Sequence, residues 1–159
     1  MKRLDKELVK TAEQILKTAG EGGRPRQASL RRAISTAYYA VFHALCRMCA
    51  DAFAGTTREA RETWRQVYRS VEHGFTKDRC TQGYFKKEFP QNVRKFCSIF
   101  SQLQEKRHEA DYDPFARFLR SDVEEAISQA KTAISMIDKQ NLELKHRRAF
   151  AAWVILRKR

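Results

Sequence analysis

The chain has 159 residues, 42% of them hydrophobic and 32% charged, with only six Gly and three Pro. That length makes one ordinary domain, able to bury a core without staples, and so few turn punctuators argue against an all-β architecture and for helices. A net charge of +13 leaves an uncompensated positive field, which points to polyanion partners, nucleic acid first and an anionic membrane surface second.

The first segment, Lys2 to Ala19, places Leu4, Leu8, Ala12, Ile15 and Ala19 on one face, so the spacing predicts an amphipathic helix ended by Gly20. Residues 20–26 form a basic, Gly-rich break. No strand precedes it and no Gly-Lys-Ser/Thr ending follows, so it is not a P-loop.

The second helix is expected from Gln27 to Ala54. Leu30, Ile34, Ala37, Tyr38, Val41, Leu45, Met48 and Ala52 form its apolar stripe. Ser35, Tyr39 and His43 stack at successive turns on the far side, among the small residues Ala33, Thr36, Ala40 and Ala44. Such a back is prepared for close approach by another helix, from the same chain or from a partner subunit.

Four cysteines, Cys46, Cys49, Cys80 and Cys97, follow no secretory leader pattern, and no apolar run is long enough to span a bilayer. Free thiols in a reducing, cytoplasmic compartment are therefore expected. His43, Cys46 and Cys49 on one helix fan around its cylinder and fall short of a tetrahedral zinc set, so no metal is assigned.

Thr56-Thr57-Arg58-Glu59 offers a capping box for a third helix that carries Ala60, Trp64, Val67, Tyr68 and Val71 to Glu72, with Gly74 as its stop. Residues 75–90 read as an irregular excursion with room for a short helix. Its aromatics, Phe75, Tyr84, Phe85 and Phe89, either anchor it to the core or combine with Arg79, Lys86 and Lys87 to clamp a nucleic acid strand.

A fourth helix is expected from Gln91 to about Ala110. Phe96, Phe100 and Leu103 define its stripe, and Arg107 and then Asp111 continue it. A guanidinium on a core-facing stripe is costly to desolvate unless it is paired, and Asp111 lies one turn away. Asp113-Pro114 reads as a restart with Pro at the first helical position. Ser121-Asp122-Val123-Glu124 reads as a second capping box, opening a helix that runs to about Gln140. The basic tail, residues 141–159, sets Phe150, Trp153 and Val154 on one face. It is expected either to extend the bundle or fray, or to touch RNA, a membrane or a partner groove.

Several helices with mostly short connections make a helical bundle over residues 1–140 followed by that tail. Within it, Arg32-Ala33-Ile34-Ser35-Thr36-Ala37-Tyr38-Tyr39-Ala40-Val41-Phe42-His43-Ala44-Leu45, followed by Arg107-x-x-Ala110-Asp111-Tyr112, resembles the HEPN family. The resemblance implies an all-α fold with a four-helix up-down core and additional helices. It also implies a homodimer whose motif helices build a composite cleft that binds RNA or a nucleotide.

Many members of that family are metal-independent endoribonucleases of toxin–antitoxin or phage-defence systems, some neutralised by a nucleotidyltransferase-type antitoxin. Their motif is an Arg followed by a His, and here Tyr112 stands where that His falls. The roles that the resemblance implies are Arg107 on the phosphate, Asp111 orienting Arg107, and His43 or His108 moving protons. Tyr112 becomes a base only if neighbouring guanidinium groups depress its pKa. Arg32, Ser35, Tyr39, Arg47 and Lys106 are the expected nucleic-acid contacts around them.

Overall fold

The computed structural model describes residues 3–83 and 85–158; the expectations placed on Lys2, Tyr84 and Arg159, and on the side chains of Phe85 and Lys86, lie outside the described residues. The chain is all-helical among those residues: α1 (Leu4–Ala19), α2 (Gln27–Ala54), α3 (Arg61–Arg69), α4 (His73–Thr81), α5 (Phe85–Glu88), α6 (Gln91–Tyr112), α7 (Arg120–Met136) and α8 (Leu144–Ile155).

α2 is the axis of the molecule. Pro25 precedes it, and Gly55, at φ 74°, ends it in a left-handed conformation that costs a glycine little. It packs against α1, α3, α6, α7 and α8, so its burial extends well beyond one stripe. Tyr38, Ile34, Val41 and Leu45 are fully enclosed, as are Phe96, Phe100 and Leu103 on α6. α6 and α1 each also pack on α7.

Several local expectations need correction. α1 buries Asp5, Val9, Ala12 and Leu16 and leaves Leu4 43% exposed, so its inward face is turned by about one residue. The cause is Asp5, drawn inward by the Arg3 guanidinium at 2.7 Å and the Arg47 guanidinium at 3.5 Å.

α3 starts at Arg61 with no side-chain cap, so the Thr56–Glu59 capping box does not form. Gly74 stops nothing: it lies in the first turn of α4, which begins at His73. Asp113-Pro114 starts no helix, because the Asp113 carboxylate accepts the Phe115 N–H at 2.9 Å in a local turn. α7 instead opens at Arg120, with Asp122 Oδ2 accepting the Leu119 N–H at 2.7 Å.

The basic tail is part of the core. α8 packs on α2 and α4, with Phe150 and Val154 fully buried and the Phe150 ring 5.7 Å from that of Phe96. In the segment before α6, Phe89 packs against Phe150 and Trp153, while Arg79 lies between the Phe75 and Trp153 rings and donates to the Leu156 carbonyl. Among the described residues, Phe75 and Phe89 are thus engaged within the bundle.

Candidate nucleic-acid interface at the α2–α6 junction

The first two turns of α2 fix where α6 ends. The Gln27 side-chain amide pairs with both backbone groups of Phe118, at 2.9 and 3.0 Å. One turn on, the Arg31 guanidinium donates to the carbonyls of Ala110 (3.0 Å), Asp113 (2.8 Å) and Ala116 (2.5 Å). A cation at the last carbonyls of α6 also complements that helix's negative end. With the end of α6 held there, Asp111 comes against α2, where it accepts a hydrogen bond from Ser35 Oγ at 3.3 Å.

Arg107, one turn before Asp111, points into the crevice, and its side chain is only 11% exposed. Its guanidinium carbon lies 5.1 Å from the Tyr38 ring centre and 6.0 Å from those of Tyr39 and Tyr112, within cation–π range. Its Nη1 stands 3.6 Å from Asp111 Oδ2, which balances charge but is longer than a good hydrogen bond. Its Nε is buried without a hydrogen-bond partner. A guanidinium has five N–H donors in a planar fork; here the fork also hydrogen-bonds the Tyr38 hydroxyl, and the Nε donor is left over.

Beside it lies a residue that the sequence reading passed over. His73, the first residue of α4, stacks on Phe42 with ring centres 3.7 Å apart and planes 21° from parallel. Its Nδ1 is 2.5 Å from the Tyr38 hydroxyl, and the Tyr39 ring meets it edge-on at 5.8 Å. Burial, then the Arg107 charge, then His43, hold the His73 pKa below 6.5. Burial raises the Tyr38 pKa, against the opposing pull of Arg107, so the phenol stays protonated. The one signal that could have found His73 is scarcity: the chain has four histidines, and each can be tried against a buried arginine.

His43 lies further along the column. Its Nδ1 is 2.6 Å from the Tyr68 hydroxyl of α3, and burial depresses its pKa against the pull of Asp5. The back of α2 that invited another helix is thus partly covered from within the chain, by Tyr68 of α3 and His73 of α4.

The remaining expected site residues are less central. His108 is exposed, with its ring 4.9 Å from that of Tyr112, which is itself 66% exposed. Arg32 is exposed on α2, and Lys106 turns toward Glu125 of α7 at 3.7 Å. Arg47, assigned above to nucleic acid, is engaged by Asp5 at 3.5 Å and Asp51 at 3.4 Å, and its main work is structural.

All four cysteines are buried, and burial pushes Cys46 up to about 12 and Cys49 well above 9. Neither supplies a thiolate at neutral pH. Among the described residues no three His, Cys, Asp or Glu side chains converge as a metal site, and no helix is long and apolar enough to cross a membrane. No family model matches the chain, and no match was found among curated proteins or solved structures.

Proposed function

We propose that this chain is a HEPN-type protein that grips RNA in the crevice between α2 and α6. The observation that carries the reading is Arg107: a nearly buried cation whose Nε donor has no partner, ringed by tyrosines and balanced by one carboxylate at 3.6 Å. The ion pair with Asp111 is loose, and a phosphodiester matches the planar fork of donors. The mutual packing of α1, α2, α6 and α7 supports a four-helix core of that family's type, with α3 to α5 inserted between the motif helices.

In the cleaving form, an imidazole takes the proton of an RNA 2′-OH and the oxygen attacks the adjacent phosphorus. The 5′-oxygen leaves with a proton, giving a 2′,3′-cyclic phosphate and a 5′-hydroxyl. Arg107 stabilises the charge that develops on phosphate. His73 is the imidazole that packs on the same tyrosines. In the tautomer whose Nδ1–H donates to the Tyr38 oxygen, its Nε2 carries a free lone pair at neutral pH. Incubation with total RNA in EDTA tests this: wild type leaves cyclic ends and Arg107→Ala does not. Equal cleavage by both, or by neither, defeats the catalytic form.

One observation favours binding without cleavage. Both imidazoles near the crevice are tied to tyrosine hydroxyls, and Tyr112 replaces the motif His. Binding in that case falls steeply with added salt, because phosphate neutralisation releases counterions.

A homodimer is the proposed assembly in the cytoplasm. Tyr112, Phe115 (89% exposed) and Leu119 leave apolar surface at the crevice rim for a second copy to cover. A nucleotidyltransferase-type antitoxin is the proposed further partner, and co-purification with the neighbouring gene product tests it.

A further inference from the structure

We infer that the cavity between the end of α2 and the start of α3 is a second anchoring site for single-stranded RNA, reached by a row of aromatic rings from Arg107; this rests on the reading of Arg107 given above. The cavity, of 730 Å³, is lined by Arg47, Asp51, Arg58, Arg61, Trp64 and Arg65, among others. Four arginines face one aspartate there. Arg47 and Arg65 are already paired, with Asp5 and Asp51 and with Glu62 respectively. Arg58 and Arg61 are exposed, and no described carboxylate pairs with either. Asp51 is occupied as well, since its Oδ1 accepts the Trp64 indole N–H at 2.7 Å. The pocket therefore presents two uncommitted guanidiniums beside an indole, the combination that holds a phosphate next to a stacked base.

The cavity is joined to the crevice by rings. Trp64 stacks on Tyr68 at 5.0 Å, and Tyr68 stacks on His43 at 5.8 Å. His43 lies 6.5 Å from Tyr39, whose ring is 6.0 Å from the Arg107 guanidinium. Trp64, Tyr68, His43 and Tyr39 are all partly exposed, so the row is a surface feature and not a sealed core. Along α2, Ser35 at one end and Asp51 at the other are separated by about 24 Å of helix. Phosphate-binding groups at both ends with neutral rings between suit a strand whose unpaired bases lie along the exposed edges of the row. A duplex keeps its bases stacked inside and could use only the ends.

The test compares a labelled 2′-O-methyl RNA strand of about 12 nucleotides with a labelled dinucleotide, which is too short to reach from Arg107 to Trp64. Binding is followed by fluorescence anisotropy. Wild type should hold the long strand at least tenfold more tightly. Arg58→Glu/Arg61→Glu, at two exposed positions, should lose about tenfold on the long strand and nothing on the dinucleotide. Its salt dependence should also become shallower by about 1.4 in the logarithmic slope, for two phosphates released.

Lys10→Glu/Lys17→Glu, an equal change of charge on α1, should lose less. If the Arg58/Arg61 variant binds the long strand like wild type, or no worse than the Lys10/Lys17 variant, the second site is overturned and the Arg107 reading stands. If Arg107→Met leaves both probes unaffected while the Arg58/Arg61 variant loses the long strand, the Arg107 reading falls and the cavity remains. Wild-type protein that binds neither probe overturns both.

Discussion

The Tyr38 hydroxyl and His73 Nδ1 stand 2.5 Å apart, and this contact ties α2 to α4 inside the crevice. Tyr38 is fully buried, so removing its oxygen leaves a ring nitrogen of His73 without that partner and admits little water to replace it. Tyr38→Phe should cost about 1–2 kcal/mol. In a chain of this size that is a fall in melting temperature of roughly 2–8 °C, measurable by circular dichroism. An unchanged melt would mean that the contact is not maintained in solution.

Arg107 should show the opposite pattern, with stability spared and function lost. Arg107→Met takes the guanidinium from Asp111, but that carboxylate is 29% exposed and keeps the Ser35 hydroxyl, so the loss should be about 1 kcal/mol or less. Arg107→Met is therefore expected to melt within a few degrees of the wild type while binding RNA at least tenfold more weakly. A variant that unfolds, or one that binds normally, contradicts the assignment.

His43 and His73 make folding sensitive to mild acid. Burial is the leading cause in both, and it lowers each folded pKa below the ordinary 6.5. The unfolded chain then binds more protons than the folded one below that value. The stabilising contribution is complete above about pH 6.5 and is lost as pH falls through the folded values. Urea midpoints at pH 7.5 and 5 should differ in that direction, and His73→Gln should narrow the difference.

Asp5 governs a second, more acidic arm. Burial pushes its carboxyl upward, but the Arg3 hydrogen bond and the Arg47 and Arg3 charges more than reverse this and leave it below 3.8. Arg3 also bridges to Asp138 at 2.9 Å, so one carboxylate organises the meeting of α1, α2 and the turn after α7. Asp5→Ala takes one of two carboxylates from each of two guanidiniums that are about a quarter exposed, leaving Arg3 with Asp138 and Arg47 with Asp51. Discounted for that exposure and for the remaining partners, the cost should be about 1–2 kcal/mol, read from urea denaturation at neutral pH. The pair's contribution should disappear on titration below pH 3.8.

What was legible in the chain was local. α2 runs from Gln27 to Ala54 as its Pro25 and Gly55 boundaries suggest, and the Arg107–Asp111 pair follows from one turn of helical spacing. The Ser35, Tyr39 and His43 column is likewise a matter of period. What escaped depends on partners far away in sequence. Asp5 turns α1 because Arg47 lies 42 positions later. His73 acquires its place from Phe42 and Tyr38, and nothing in Glu72-His73-Gly74 announces it. Gly74, taken alone, signals a stop; in context it is accommodated inside a short helix by the packing around it.

The three carbonyls held by Arg31 belong to Ala110, Asp113 and Ala116, so a single side chain fastens the last turn of α6 and the segment that follows it. Fastening through one hub couples the three bonds: a swing of that one side chain breaks all of them. Lysine has the charge but not the fork, and could satisfy only part of this set. A crevice floor built on α6 thus depends on a residue that never enters the crevice, and inherited variation at position 31 would disturb Arg107 from behind.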